Sequence, residues 1–416
     1  MEIPREHYLQ ELRDRMHNGM VKIITGIRRS GKSYLLFHLF QNELLQQGVP
    51  KDHIICLSMD GLENMKYRDP FIAYDAIMQQ IKDDSDYYVL LDEVQMMEQF
   101  EELLNSLLHR ENIDTYVTGS NSKFLSKDVI TEFRGRGDEV HVYPLTFQEF
   151  MQVYDGDVYQ GWREYFTYGG LPRTVTLKTE NQKSAYLARL FRETYLRDII
   201  ERHHIEKTEE LDELLQATAS TIGALTNPSK ILATFQSKTK STISINTIQK
   251  YLEYLEDAFL IQHARRYDIK GRKYIGSPLK YYFEDVGLRN ACLGFRQVEE
   301  THLMENILYN ELRYRGYSVD VGTVKKQERK EDGRLTTRTL EVDFVANLGS
   351  RRIYIQSALR MIDDEKRAQE KASLLALKDS FQKVILVRDI VPNYHDNDGV
   401  LTMNLFDFLL HRKPFV

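Results

Sequence analysis

The sequence predicts an α/β protein that opens on a parallel sheet with crossover helices. Two observations predict it. Between residues 20 and 145, short β-branched or aromatic runs alternate with longer helical patterns, the rhythm of strands joined by covering helices. The first run, VKIIT at Val21–Thr25, leads directly into GIRRSGKS at Gly26–Ser33 and then into the apolar helical stretch SYLLFHLF.

In order, strands are expected near 20–25, 53–58, 87–91, 113–118 and 139–143, with helices over about 31–47, 70–82 and 97–110. From Leu145 to about Ile222 the pattern turns helical, strongest over 184–203, where Leu187, Leu190, Phe191, Thr194 and Tyr195 share one face. Asn227-Pro228 breaks it. Residues 228–283 read as two helices and two short strands (259–267 and 272–275), a winged-helix outline. The remainder reads helix 284–293, helix 299–315, strands 317–323, 338–346 and 353–357, helix 363–378, strand 383–387 and a terminal helix 403–412. The charged stretch Lys325–Arg334, with Asp332-Gly333, is the expected hairpin tip.

Composition bounds the class. A chain of 416 residues is longer than one core usually serves, so several domains are expected. With 42% apolar and 28% charged residues, wholesale disorder and a membrane protein are both disfavoured. No apolar run approaches the roughly 20 residues that span a bilayer. Acids and bases interrupt Met1–Arg15, so no secretory signal is expected and the chain is placed in the cytoplasm. Cys56 and Cys292 are too far apart in sequence to suggest a metal or disulfide framework and are expected to be buried thiols. A formal net charge of −6 gives no global attraction to nucleic acid.

GIRRSGKS matches the phosphate-loop pattern G-x-x-x-x-G-K-[ST] in full. Gly26 and Gly31 let the backbone of Ile27, Arg28, Arg29 and Ser30 curl so that its N–H groups face a phosphate, and the helix opening at Lys32, Ser33 and Tyr34 adds partial positive charge. Lys32 is expected to reach the β- and γ-phosphates of ATP, with the Ser33 hydroxyl a ligand of Mg²⁺. Roughly 60 residues on, the apolar run Tyr87–Leu91 ends in Asp92 and Glu93. Asp92 is expected to hold Mg²⁺ through a water, and Glu93 to polarise the attacking water. The strand ending in Thr118-Gly119-Ser120-Asn121 offers Ser120, and with less support Thr118 or Asn121, as a sensor of the γ-phosphate. Arg134 and Arg136 in FRGRGDE are candidates for an arginine acting on a neighbouring subunit's nucleotide, or are plain surface residues.

GIRRSGKS, LLDEVQ, TGSN, YPLTFQEF (143–150) and YGGLP (168–172) together resemble a prokaryotic AAA-type ATPase family, often compared with archaeal ATPases. TYLRDII (194–200), TIQKYLEYLEDAFLI (247–261), KYYFEDVGLRN (280–290) and LEVDFVA (340–346) resemble that family's C-terminal domain of uncharacterised function. The resemblance implies a P-loop NTPase domain over 1–145 with strand order 5-1-4-3-2. It also implies a helical lid (146–226), a winged helix (227–278) and an α/β restriction-endonuclease-like domain (279–416). Ser30 departs from the small apolar residue often found in relatives.

The expected activity is Mg²⁺-dependent ATP hydrolysis in a switch or motor that works on DNA or a protein partner through its C-terminal half, with homo-oligomerisation open. A small-molecule kinase, a binding-only switch and an ATP-regulated nuclease are the alternatives. Between 228 and 283 basic residues outnumber acidic ones, which favours phosphate contacts, but Glu253, Glu256 and Asp257 lie in the proposed recognition helix 245–259. Glu305 and Asp343 fall where a nuclease-like fold places metal carboxylates. The next strand then supplies Gln356-Ser357-Ala358, without the acid and lysine that cleavage needs, so the site reads as degenerate, and Arg360 is a poor proton carrier. His203-His204 point about 100° apart on a helix and make no metal pair.

Overall fold

The computed structural model describes residues 2–119, 135–238, 243–329, 335–361 and 363–411. It divides into two compact units. The first comprises Met1–Pro144, Leu171–Arg173 and Asp257–Phe259; the second comprises Leu145–Gly170, Thr174–Glu256 and Leu260–Val416.

The first unit is built on β1 (Val21–Thr25), β2 (Ile54–Ser58), β3 (Tyr87–Asp92), β4 (Ile113–Thr118) and β5 (Gly137–His141). All pair in parallel in the order β2-β3-β4-β1-β5, which from the other edge is the expected 5-1-4-3-2. Burial on both faces explains why β3 reads as an unbroken apolar run up to Asp92. On one face Ile23, Val89, Leu91 and Val117 pack with Leu103, Leu104 and Leu107 of helix Phe100–Leu108. On the other lies the helix that follows the glycine loop. It starts as Lys32–Tyr34, widens into a π-helical stretch Leu35–Phe40 and returns to α-helix over Gln41–Gln46. Phe40 on this helix meets Tyr116 of β4 with ring centroids 4.6 Å apart. Beneath it Lys22 is fully buried against Asp114, whose other oxygen accepts the Tyr116 hydroxyl at 2.8 Å.

Cys56 is exposed and Cys292 only half-buried, against the expectation of two buried thiols. The reason for Cys56 is topological, because β2 is an edge strand with β3 as its one sheet neighbour.

The second unit opens with helices, among them Val158–Tyr168 and Thr208–Ser220, and then forms a nine-stranded sheet. Its strands are β6 (Leu225–Thr226), β7 (Ile261–Asp268), β8 (Lys273–Phe283), β9 (Ser318–Arg329), β10 (Leu335–Leu348), β11 (Arg351–Ala358), β12 (Gln382–Val387), β13 (Tyr394–His395) and β14 (Val400–Asn404). The order is β13-β14-β12-β11-β10-β9-β7-β8-β6. Helices Pro228–Lys238 and Ile245–Asp257 precede the β7–β8 hairpin, but that hairpin is part of the large sheet, since β7 runs parallel to β9 with Arg266 opposite Val321. The boundary drawn between residues 278 and 279 therefore falls inside β8.

Two local readings change at the C-terminus. Residues 403 and 404 belong to β14, and the closing helix is only Leu405–Leu409, capped by Asn404, whose side chain accepts from the N–H of Phe406 and Asp407. His203 stacks on Tyr254 at 3.6 Å while His204, at φ 49°, ends its helix, so the two rings serve separate places.

Candidate functional site

The glycine loop leaves β1 through a backbone that few side chains allow. Gly26 has φ 131°, and a Cβ there would lie 2.3 Å from the Val142 carbonyl oxygen, so no other residue fits without moving the chain after β5. Gly31 at φ 102° turns the chain into the helix, with Pro172 3.8 Å from where its Cβ would stand. Between them Arg29 is left-handed (φ 66°) and exposed, and Arg28 is half-buried.

Lys32 is buried to 4% exposure, and its Nζ spans the loop, donating to the Gly26 carbonyl at 2.8 Å and the Ile27 carbonyl at 3.0 Å. Ser30 is fully buried, and its hydroxyl has no hydrogen-bond partner among the described residues. Tyr34 is exposed and stacks on His38 one turn later, with centroids 4.8 Å apart.

The end of β3 meets this loop. Asp92 lies close to the Ser33 side chain, and its Oδ1 accepts the Thr118 hydroxyl at 2.6 Å. Burial pushes the Asp92 carboxyl up. The Thr118 and Ser33 hydroxyls and the charge of Lys32 pull it back, while Glu93 adds to the rise. The Thr118 hydroxyl also accepts the Glu93 backbone N–H at 3.0 Å. Glu93 itself is left-handed (φ 55°, ψ 43°), a conformation costing a non-glycine residue roughly 1–2 kcal/mol. That turn takes its side chain out of the strand's alternation, and its Oε2 accepts from Gln95 Nε2.

The loop, the Ser33–Asp92 pair and Glu93 thus meet at the C-terminal edge of the sheet, as their spacing implied. Thr118, named with Asn121 behind Ser120 as a γ-phosphate sensor, links the two acids in the structure.

Arg136 sits elsewhere. Its carbonyl accepts the Val21 N–H at 2.9 Å, which places it at the start of β1, a strand length of about 13 Å from the loop that follows Thr25. There its guanidinium reaches Asn105 Oδ1 at 3.4 Å. Ser120, Asn121 and Arg134 lie outside the described residues. Arg173 was passed over in sequence; Leu171–Arg173 cluster with the first unit, and Pro172 lies against Gly31.

In the second unit, Glu305, Asp343 and Gln356 do come together, in company the sequence did not suggest. A β-bulge between Val342 and Val345 breaks the β9–β10 register and holds Asp343, which is 9% exposed. Its Oδ1 accepts Gln356 Nε2 at 3.0 Å, and its Oδ2 accepts the Ser357 N–H at 2.8 Å and hydroxyl at 2.7 Å. Burial and the neighbouring Glu305 push this carboxyl up to about 7, against the pull of Lys280 and Ser357.

A lysine was expected to be missing here. Lys280 fills the place from β8, with Nζ 2.9 Å from Glu305 Oε1 and 2.7 Å from Glu341 Oε1, while Tyr282 donates to Glu305 at 2.7 Å. Burial lowers its affinity for a proton, but Glu305, Glu341 and Asp343 outweigh this and hold the ammonium above the usual lysine range. Removing one partner of such a buried pair costs about 3–5 kcal/mol, because it leaves a buried charge uncompensated. Among the described residues no group of three or more His, Cys, Asp or Glu is arranged to hold a metal ion.

A five-stranded parallel sheet in this order, with a glycine-bracketed lysine loop after β1 and an acid pair after β3, defines a P-loop NTPase fold of the AAA class. Residues 18–151 match the AAA domain family, and residues 159–299 match a domain of unknown function. An uncharacterized protein of Haemophilus influenzae is 34% identical over 417 aligned positions, covering 98% of both chains. One of Methanocaldococcus jannaschii is 27% identical over 375 positions, covering 86% of this chain and 79% of its own. The chain belongs to this family of AAA-domain proteins with a C-terminal region of uncharacterised function. Among solved structures, the Aeropyrum pernix ORC1 protein in complex with DNA is similar at TM-score 0.33 and 11% identity, covering 70% of this chain and 92% of that one. Cdc6p from Pyrobaculum aerophilum is similar at TM-score 0.31 and 13% identity, covering 74% and 95%. No described helix is long and apolar enough to cross a membrane.

Proposed function

We propose that the first unit binds ATP with Mg²⁺ and hydrolyses it, as a switch or motor for the C-terminal half. The observation that carries this is the hydrogen-bonded chain Asp92–Thr118–Glu93 beside the lysine-spanned loop. The residues fit the nucleotide. The backbone of Gly26–Ser33 cradles the phosphates, with Ser30 and the N-terminal turn through Tyr34 completing the cradle, and Lys32 exchanges its two loop carbonyls for phosphate oxygens. Ser33 and Asp92 hold the cation. Mg²⁺, when bound with ATP, supplies charge that neutralises the phosphate oxygens.

Glu93 accepts a proton from the attacking water, its backbone pinned by Thr118. Ser120 senses the γ-phosphate in this reading. Arg136, at the far end of β1, acts on the nucleotide of a neighbouring copy, as does Arg134. In an ATP titration followed by calorimetry, affinity is expected to be high with Mg²⁺ and weak with EDTA. Native mass measurement of the same samples is expected to show association with ATP; Mg²⁺-independent binding contradicts the cation site, and a strict monomer contradicts the role of Arg136.

The second unit serves as a binding platform for DNA or a protein partner, with no cleavage of its own. Glu305 is held by the Lys280 ammonium, which also pairs with Glu341, and Asp343 is held by Gln356 and Ser357, so both carboxylates are engaged with the protein's own donors. Linear, nicked and single-stranded DNA are expected to remain intact with Mg²⁺ or Mn²⁺. Cleavage that disappears on Asp343→Asn would overturn this.

A further inference from the structure

The second unit carries a basic groove that belongs to neither cluster above. Three segments at one end of the nine-stranded sheet enclose it, 269–272 between β7 and β8, 349–350 between β10 and β11 with the first residues of β11, and 377–381 leading into β12. The cavity between them measures about 680 Å³.

Five cations line the groove, Lys270, Arg272, Arg351, Arg352 and Lys378. Arg272, Arg351 and Lys378 are exposed, and none has an ion-pair partner among the described residues. Lys270 and Arg352 are held by neutral groups, Nζ to the Lys325 carbonyl at 3.1 Å and Nε to Asn347 Oδ1 at 2.7 Å. The one carboxylate in the lining, Asp379, is turned to the Tyr354 hydroxyl, which donates to it at 2.8 Å. A chain with 62 acidic residues and net charge −6 thus sets five cations against one carboxylate in the lining of this concavity. Their mutual repulsion is relieved by a polyanion.

Aromatic rings give the groove a second character. The Arg352 guanidinium lies 5.3 Å from the Tyr267 ring centroid and 5.4 Å from that of Phe381, which is 41% exposed. An open ring among phosphate-seeking cations is a platform for an unpaired base, because bases in a duplex are already stacked on each other. The helix Ile245–Asp257, nominated from sequence for DNA contact, has Glu253, Glu256 and Asp257 and offers no such combination.

We propose that this groove binds single-stranded nucleic acid, with phosphates on Arg272, Arg351 and Lys378 and one base stacked on Phe381. The proposal goes beyond ATP hydrolysis and does not require it. The test is fluorescence anisotropy of labelled oligothymidine, oligouridine and a duplex with the full chain in the absence of nucleotide.

Either single strand is expected to bind more tightly than the duplex, and log K is expected to fall with log salt at a slope of about −2, as three phosphate contacts give. Reversing two charges (R351E with K378E) is expected to weaken binding more than about tenfold and flatten the slope to about −0.7. F381A is expected to weaken binding about tenfold at unchanged slope. ATP turnover should match the parent chain in all variants, and thermal melting should match it in the charge-reversed variant, whose two side chains are exposed. A duplex preference, wild-type affinity in the charge-reversed variant, or no binding at about 50 mM salt overturns the proposal.

Discussion

Lys32→Ala is expected to lose ATP affinity by about 10²- to 10⁴-fold. The lysine donates to the Gly26 and Ile27 carbonyls of the loop from a side chain only 4% exposed. Those carbonyls carry no formal charge, so they hold the ammonium in the loop without neutralising it. Two charge-assisted bonds at about 1.5–3 kcal/mol each give the expected loss. The substitution also leaves two loop carbonyls without that donor, so the folded state should be checked by denaturant titration alongside calorimetry with ATP. A variant that is folded and binds ATP like the parent would remove the nucleotide site from this loop.

Glu93→Gln is expected to act on rate and not on affinity. Glutamine has the same shape and keeps the Glu93 backbone bond to Thr118, so the turn after β3 survives. What it loses is the capacity to take a proton, and general-base loss slows turnover by about 10²- to 10⁴-fold. Single-turnover measurement with prebound ATP separates the two effects. Parent-like turnover assigns the base elsewhere, whereas lost ATP affinity makes Glu93 part of the binding site.

The parts of this protein legible in sequence are those whose determinants are contiguous. Gly26, Gly31, Lys32 and Ser33 lie in one octet after a strand, and the backbone at Gly26 shows why that residue type is required there. The acid pair at 92–93 could be placed because β3 is an unbroken buried run. The linking role of Thr118 was not legible, since it depends on the parallel register that sets β4 beside β3.

Lys280 was missed for a related reason. A search of the strand after Asp343 cannot find a lysine delivered by β8, which the chain completes before Glu305. The bulge that presents Asp343 likewise leaves no mark in the alternation of β10. The boundary at 278/279 failed because a short hairpin pattern looks the same whether it stands alone or joins a larger sheet through β9. The basic groove draws on three segments more than 100 residues apart at their extremes, 269–272 and 377–381, and no local window contains it.

The most direct test of the central claim is phosphate release from ATP by the purified full chain, with Mg²⁺ and no added phosphoryl acceptor. Steady release that stops on chelating Mg²⁺ is the predicted result, with water as the acceptor and Glu93 as its base. Tight Mg²⁺-dependent ATP binding with no release would contradict hydrolysis and leave a phosphoryl-transfer enzyme awaiting another acceptor, or a switch that only binds.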